Sequence, residues 1–306
     1  MFASLLAAAA ALAQLNPIVI PFGNPRQVEQ PRAPIAEAGP LWALACKDAN
    51  GADRPAPPVR IHGNSYFVGT CAASAVLVTG SAGHVLIDGG AERDADLIAE
   101  NIRQLGFRVR DIRFILAAHE HYDHAGGIAK LQRMSGAMVI SSASAAKVLS
   151  SGQPSIDDPQ YGMTESFPPV TVGRTVVDGE EVRLGDLMLK AMATPGHAAG
   201  SLSWRWVSCD GGVCWTIVYA DNLSPISNDS YRFSDHPAVV AALRSSIARI
   251  AASPCDIVIT PNPSASHVLE RFALGKPLLD DQGCKAYAAS VTAELDERLA
   301  TEKAKK

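Results

Sequence analysis

The segment RFILAAHEHYDHAGG, residues 113–127, constrains this chain more than any other. A buried-strand pattern runs straight into HEHYDH, which places three histidines and an aspartate within residues 119–124 of a 306-residue chain that has only eight histidines. Along an extended backbone, side chains at i and i+2 point the same way. His119 and His121 can therefore grip one ion from the strand end, while Asp123 and His124 turn elsewhere and can serve a second. Neutral imidazole and carboxylate suit zinc. Structural zinc sites lean on cysteine and close all four positions, whereas a catalytic ion needs three protein ligands and one open position. The pattern therefore predicts a catalytic metal with a third ligand elsewhere in the chain. His197, in the TPGHAAGS turn after a strand-like segment, supplies it.

Short apolar runs bounded by glycine or threonine predict strands at SYFVGT, SAVLVTG and HVLIDGG. RFILAAH, MVISS, VDGEEVRLGDLMLKAMAT, SLSWRWV, WTIVYAD and DIVITP continue the series. Helical spacing of apolar residues appears in RDADLIAENIRQLGF, with Gly106 at its C-cap, and in HPAVVAALRSSIARIAAS. Helices are also expected over GGIAKLQRMSG, SAAKVLS and CKAYAASVTAELDERLA. Strands dominate with helices between them, so a sheet-on-sheet core with helices outside is expected. Residues 151–171 carry no regular pattern, and a loop of that length in a compact domain is usually functional. Tyr161 and Phe167 are expected to help it wall a cleft.

The chain opens with an apolar run closed by Ala11-Leu12-Ala13, a small-x-small pattern that reads as an export signal over residues 1–13 although no basic residue precedes it. A Pro- and Ala-rich arm follows over 14–55, with a short helix around Trp42–Cys46, and the catalytic domain is expected over 56–306. Beyond Ala13 no apolar run is long enough to cross a membrane. The net charge of −4 and the lack of a basic stripe give no reason to expect a nucleic-acid partner. Six cysteines without a CxxC pair agree with an oxidising compartment. Cys209 and Cys214 flank a turn and face each other across a hairpin. The remaining four leave several pairings open, Cys46–Cys71 with Cys255–Cys284 among them.

HEHYDH after a buried strand, LIDGG upstream, the TPGH turn and the YAD strand end resemble the metallo-β-lactamase superfamily. GNSYFVGT, HEHYDHAGG, TPGHAAGSLSW, YADNLSP and the CKAYA helix resemble the third subclass of the class B β-lactamases. This resemblance implies an αββα sandwich, two mixed sheets packed face to face with helices outside, and metals at one edge. It implies a periplasmic, monomeric enzyme that takes β-lactams, and three disulfides placed as above occur in some of its members. Two zinc ions are implied. One, held by His119, His121 and His197, would lower the pKa of its water toward ~7. The resulting hydroxide, oriented by Asp123, would attack the lactam carbonyl. Asp123 and His124 would ligate the second ion. Asn222 and Ser224, with Ser227, match positions that touch the substrate carboxylate. Asp88 of LIDGG reads either as a carboxylate that orients a metal-site loop or as a turn aspartate before Gly89 and Gly90.

One residue departs from that pattern. The strand matching DIVITP ends in a Pro-His-Pro-like turn in the subclass, and its histidine completes the second site. Here Asn262 stands in its place, a weaker and uncharged ligand. Two residues could compensate: His267, five positions on, or Asp221 of YAD bridging the metals. The departure keeps two other readings in view: a hydrolase of lactones or thioesters on the same fold, and a zinc-binding homologue with weakened catalysis. His62, His84 and His236 are isolated and read as surface or core histidines, and Trp204 and Trp206 as core.

Overall fold

The computed structural model describes residues 39–49, 53–276 and 278–304. The expected export signal and residues 14–38 of the arm lie outside them. The short helix expected near Trp42 is α1 (Gly39–Cys46), and Trp42 packs edge-on between Phe67 and Phe272, at 5.3 and 5.4 Å between ring centroids.

Seven strands form the first sheet: β1 (Val59–His62), β2 (Ser65–Phe67), β3 (Val76–Gly80), β4 (Gly83–Ile87), β5 (Ile112–Leu116), β6 (Met138–Ser141) and β7 (Val172–Thr175), neighbouring one another in chain order. The first four are antiparallel, and β4 to β7 are parallel. The second sheet holds β8 (Glu181–Leu184), β9 (Leu187–Ala193), β10 (Leu202–Asp210), β11 (Val213–Tyr219) and β12 (Ile257–Ile259), in the order β12-β11-β10-β9-β8. Only the β11–β12 pair is parallel there.

Successive side chains on a strand face opposite ways, and the buried residues divide accordingly. Val76 and Val78, Val85 and Ile87, and Phe114 and Leu116 face the second sheet, where they meet Trp204, Trp206, Ile217 and Tyr219. Leu77, Leu86 and Ile115 face outward onto α2 (Ala95–Gln104), with α3 (Tyr122–Ala125), α4 (Ile128–Ser135) and α5 (Ala143–Ser151) on the same side. Met192, Val218 and Val258 pack on the other side against α6 (Pro237–Ala251) and, beyond α7 (Val268–Ala273), α8 (Gly283–Ala304). These layers make the expected αββα sandwich. Strand runs apolar at nearly every position are what two-sided burial demands.

The expected strands and longer helices are all present, and β1, β7, α3 and α7 are additional. β7 is an edge strand whose residues VGRT alternate between partly buried and exposed, so it lacks the apolar run that marks a strand. All six cysteines pair, as Cys46–Cys71, Cys209–Cys214 and Cys255–Cys284.

At one edge the sheets are cross-linked through the backbone. Leu202 N–H donates to the Ala118 carbonyl at 2.7 Å, and Ser74 N–H donates to the Pro261 carbonyl at 2.7 Å. The end of β5 is thereby fixed to the start of β10, and the segment entering β3 to the segment leaving β12, and most of the predicted metal ligands follow from this edge.

His84 sits at the opposite end of β4, fully buried, edge-on to Phe107 at 5.0 Å. Neither ring nitrogen finds a hydrogen-bond partner among the described residues. Burial pulls its pKa from 6.5 down to about 4. Between those values the unfolded chain binds more protons than the folded one, so stability is intact above pH 6.5 and lost as pH falls toward 4. The loss from this residue should reach about 2 kcal/mol at pH 5. Urea unfolding of the wild type and of His84→Leu at pH 7 and pH 5 checks this: the variant should lose less stability on acidification, and equal losses would count against it.

Candidate metal centre

The segment entering the centre is held by Asp88, at the end of β4. Its carboxylate accepts from the Ala118 N–H at 2.7 Å and from the Tyr219 hydroxyl at 2.7 Å. Ala118 precedes His119, and Tyr219 ends β11, so one side chain ties both sheets to the metal-site segment. Asp88 takes a left-handed φ of 61°, which aspartate tolerates better than most residues. Burial pushes its pKa up to about 7. The segment leaves extended geometry after His121, and α3 turns Asp123 and His124 away from it. Glu120, buried and set between His119 and His121 in the chain, accepts from the Gly200 N–H at 3.0 Å and so binds HEHYDH to the TPGH turn. Gly196 in that turn has φ 140°, and a Cβ there would lie 2.8 Å from Leu243. Only glycine lets the turn approach α6 closely enough to swing His197 inward.

His119, His121 and His197 offer ligand atoms within 4.8 Å of one another, and all three are buried. Each spends one ring nitrogen on an acceptor outside the cluster. His119 Nδ1 pairs with Asp221 Oδ1 at 2.7 Å, His121 Nε2 with Asp158 Oδ2 at 3.0 Å, and His197 Nδ1 with the Ser224 carbonyl at 2.9 Å. A carbonyl or carboxylate can only accept, so each bond fixes the ring's tautomer and frees the other nitrogen's lone pair. His119 Nε2 is buried with no partner, a polar atom in want of a ligand. The Gln160 amide stands 3.1 Å from His197 Nε2. Burial, with the charges of His121 and His119, pulls His197 down to about 3. Burial likewise lowers His119. For His121 burial also acts downward, but the Asp158 contact outweighs it and the net shift is up. This set fits a divalent metal with an open position.

The second expected set is less complete. His119, Asp123 and His124 also cluster within 4.8 Å, but His119 has a single free nitrogen and can give it to one ion. His124 Nε2 lies 3.0 Å from Asp123 Oδ2, a charge contact too poorly aligned to count as a hydrogen bond. Burial lowers the His124 pKa, but the Asp123 charge raises it more, to about 9. Asn262 lines the same cavity, yet its amide oxygen accepts from Asn222 Nδ2 at 3.1 Å and its nitrogen donates to the Ala72 carbonyl at 3.1 Å. Neither compensating residue takes the vacant role. The His267 ring is 71% exposed and paired with Glu270, and Asp221 serves His119 from behind.

A cavity of about 510 Å³ opens over these residues, with Asn222 and Ser224 on its wall and α1 contributing Trp42 and Cys46. Other expectations need correcting. Ser227 does not line the cavity; its hydroxyl bonds the Tyr231 carbonyl and accepts from Arg298. Phe167 is buried in the helix-side core and Tyr161 is exposed, so neither forms the cleft wall. From residues 151–171 it is Asp158 and Gln160 that reach the centre. Nothing in the sequence marked either beyond their place in a long loop. Asn228 pins that loop, donating from its backbone to the Pro159 carbonyl and from its side chain to the Tyr161 carbonyl.

A family profile described as the metallo-β-lactamase superfamily matches residues 68–211. Among solved structures, the chain is similar to the metallo-β-lactamase MIM-1 from Novosphingobium pentaromativorans, with 49% identity and a TM-score of 0.84, over 86% of this chain and 98% of that one. It is similar to MEM-A1, a subclass B3 metallo-β-lactamase isolated from a soil metagenome library, with 44% identity and a TM-score of 0.80, over 83% and 99%. Among curated proteins it is 27% identical over 201 residues to the hydroxyacylglutathione hydrolase of Maricaulis maris, a match spanning 66% of each chain.

Asp221 orients His119 without touching the ion position. Asp221→Ala should therefore weaken metal binding about 10- to 100-fold. Competition against a chromophoric chelator measures it, and an unchanged affinity would show that the carboxylate does not orient the ring.

Proposed function

Because the chain belongs to the metallo-β-lactamase superfamily, we propose that it is an exported zinc-dependent β-lactamase, hydrolysing the β-lactam amide and so conferring resistance to β-lactam antibiotics. The observation that carries this reading is the set of three buried imidazoles with outward-anchored nitrogens at the floor of a drug-sized cavity. Three disulfides agree with a periplasmic location, and no helix of the described residues is long and apolar enough to cross a membrane. The working unit is taken as a monomer.

Zinc, when bound, supplies a Lewis acid and an acidified water at neutral pH. His119, His121 and His197 would hold it through their free ring nitrogens. Asp123 is half exposed at the cavity floor. Burial would raise its pKa, but the His124 charge dominates and holds the carboxyl well below the usual range. It is therefore ionised, and its role is to accept a hydrogen bond from the attacking water and orient it. The water oxygen would add to the lactam carbonyl carbon, the C–N bond would break, and the proton given up by the water would pass to the ring nitrogen. Ser224 and Asn222, on the cavity wall, are placed to meet the substrate's carboxylate with hydroxyl and amide.

A thioester substrate is the second reading, favoured by the likeness to a hydroxyacylglutathione hydrolase. Ring opening of a carbapenem by the purified protein separates the two. Chelation should abolish the reaction and zinc restore it, and His197→Ala should cost at least ~100-fold in kcat/KM. No ring opening at any zinc concentration, with hydrolysis of a hydroxyacylglutathione instead, would overturn the lactamase reading.

A further inference from the structure

Asn262 occupies the position from which a sixth ligand would reach a second ion, but both ends of its amide are committed. The direction of that commitment is fixed by groups that have no choice. The Ala72 carbonyl can only accept, so it must face Asn262 Nδ2 (3.1 Å), which turns Asn262 Oδ1 toward Asn222. At the other end the Ser224 N–H can only donate, so it must face Asn222 Oδ1 (3.0 Å), which turns Asn222 Nδ2 toward Asn262. The result is a directional chain of amide hydrogen bonds from Ser224 through Asn222 and Asn262 to Ala72. Ser224 in turn presents its carbonyl to His197 Nδ1 at 2.9 Å. The one atom of Asn262 able to bind a cation thus spends one of its two lone pairs on a hydrogen bond that aims its amide at Asn222. Asp123 and His124 would be left to hold an ion with two protein atoms, since the free nitrogen of His119 belongs with His121 and His197. Zinc sites use at least three protein ligands, so the second set does not fit.

We infer that this chain holds a single metal ion, and that Asn262 closes an amide chain steadying the loop behind His197 instead of completing a second site. This departs from the two-ion expectation, and it rests on the hydrolase reading only in taking zinc as the ion.

The test is metal stoichiometry. Full-length protein is dialysed against buffered zinc and its metal content is measured by mass spectrometry, with cobalt absorption titrations alongside. The wild type should take one equivalent tightly, with any second equivalent at least ~100-fold weaker. Asn262→Ala should still bind one equivalent, because no ligand is lost, and Asn262→His should gain a second. Two equivalents of similar affinity in the wild type, or an equivalent lost in Asn262→Ala, would overturn the inference. The wild-type titration decides the matter even if a variant fails to fold. One equivalent without β-lactam ring opening would sink the lactamase reading and leave this one standing; two equivalents with ring opening would do the reverse.

Discussion

An imidazole can give a lone pair to a metal only from a nitrogen without a proton, so something must hold the proton on the other nitrogen. In this protein three acceptors do so, and they come from two separate parts of the chain. Asp221 follows β11, Asp158 lies in the long loop after α5, and the Ser224 carbonyl belongs to the segment beyond Asp221. The centre thus depends on bringing a strand end of one sheet against the strand ends and loops of the other. That is what the sandwich does. Its facing residues, Phe114 and Leu116 against Trp204 and Tyr219, set the sheets together, and the backbone bonds at their shared edge set the register of the ends.

Asp88 shows what this alignment costs. A buried carboxylate at an unfavourable φ is a liability in a fold built for stability alone. Two donors, the Ala118 N–H and the Tyr219 hydroxyl, offset it, and both lie beside the centre. Removing the side chain would orphan both donors and release the residue that leads into His119. The strain is concentrated where position matters most.

The sequence carried the clustered histidines and the layers because both have local signatures. Period-two and continuous apolar runs marked strands, and HEHYDH marked the cluster. The disulfide pairings followed only partly from position. What remained hidden was whatever depended on contacts distant in the chain. Asp158 and Gln160 sit in a stretch without period, and their partners, His121 and His197, are 37 residues away. β7 pairs at an edge with too little burial to leave a pattern. Phe167 looked like cleft wall because it lay in the loop, yet its ring had a core to fill. Asn262 was conspicuous as a substitution, but its partners, Asn222 and Ala72, are 40 and 190 residues away.

That last separation links the arm to the chemistry. Ala72 follows Cys71, whose disulfide reaches Cys46 at the end of α1. Trp42, one turn earlier on α1, is wedged between Phe67 and Phe272. The far end of the amide chain is therefore anchored to a covalent link and a packed aromatic cluster, and its near end to the acceptor of His197. A histidine in place of Asn262 would have to break this chain, since its ring cannot both ligate an ion and stand between the Ala72 carbonyl and the Asn222 amide. Rigidity behind the first ion and a ligand for a second are alternative uses of one position, and the hydrogen bonds that Asn262 makes are those of the first use.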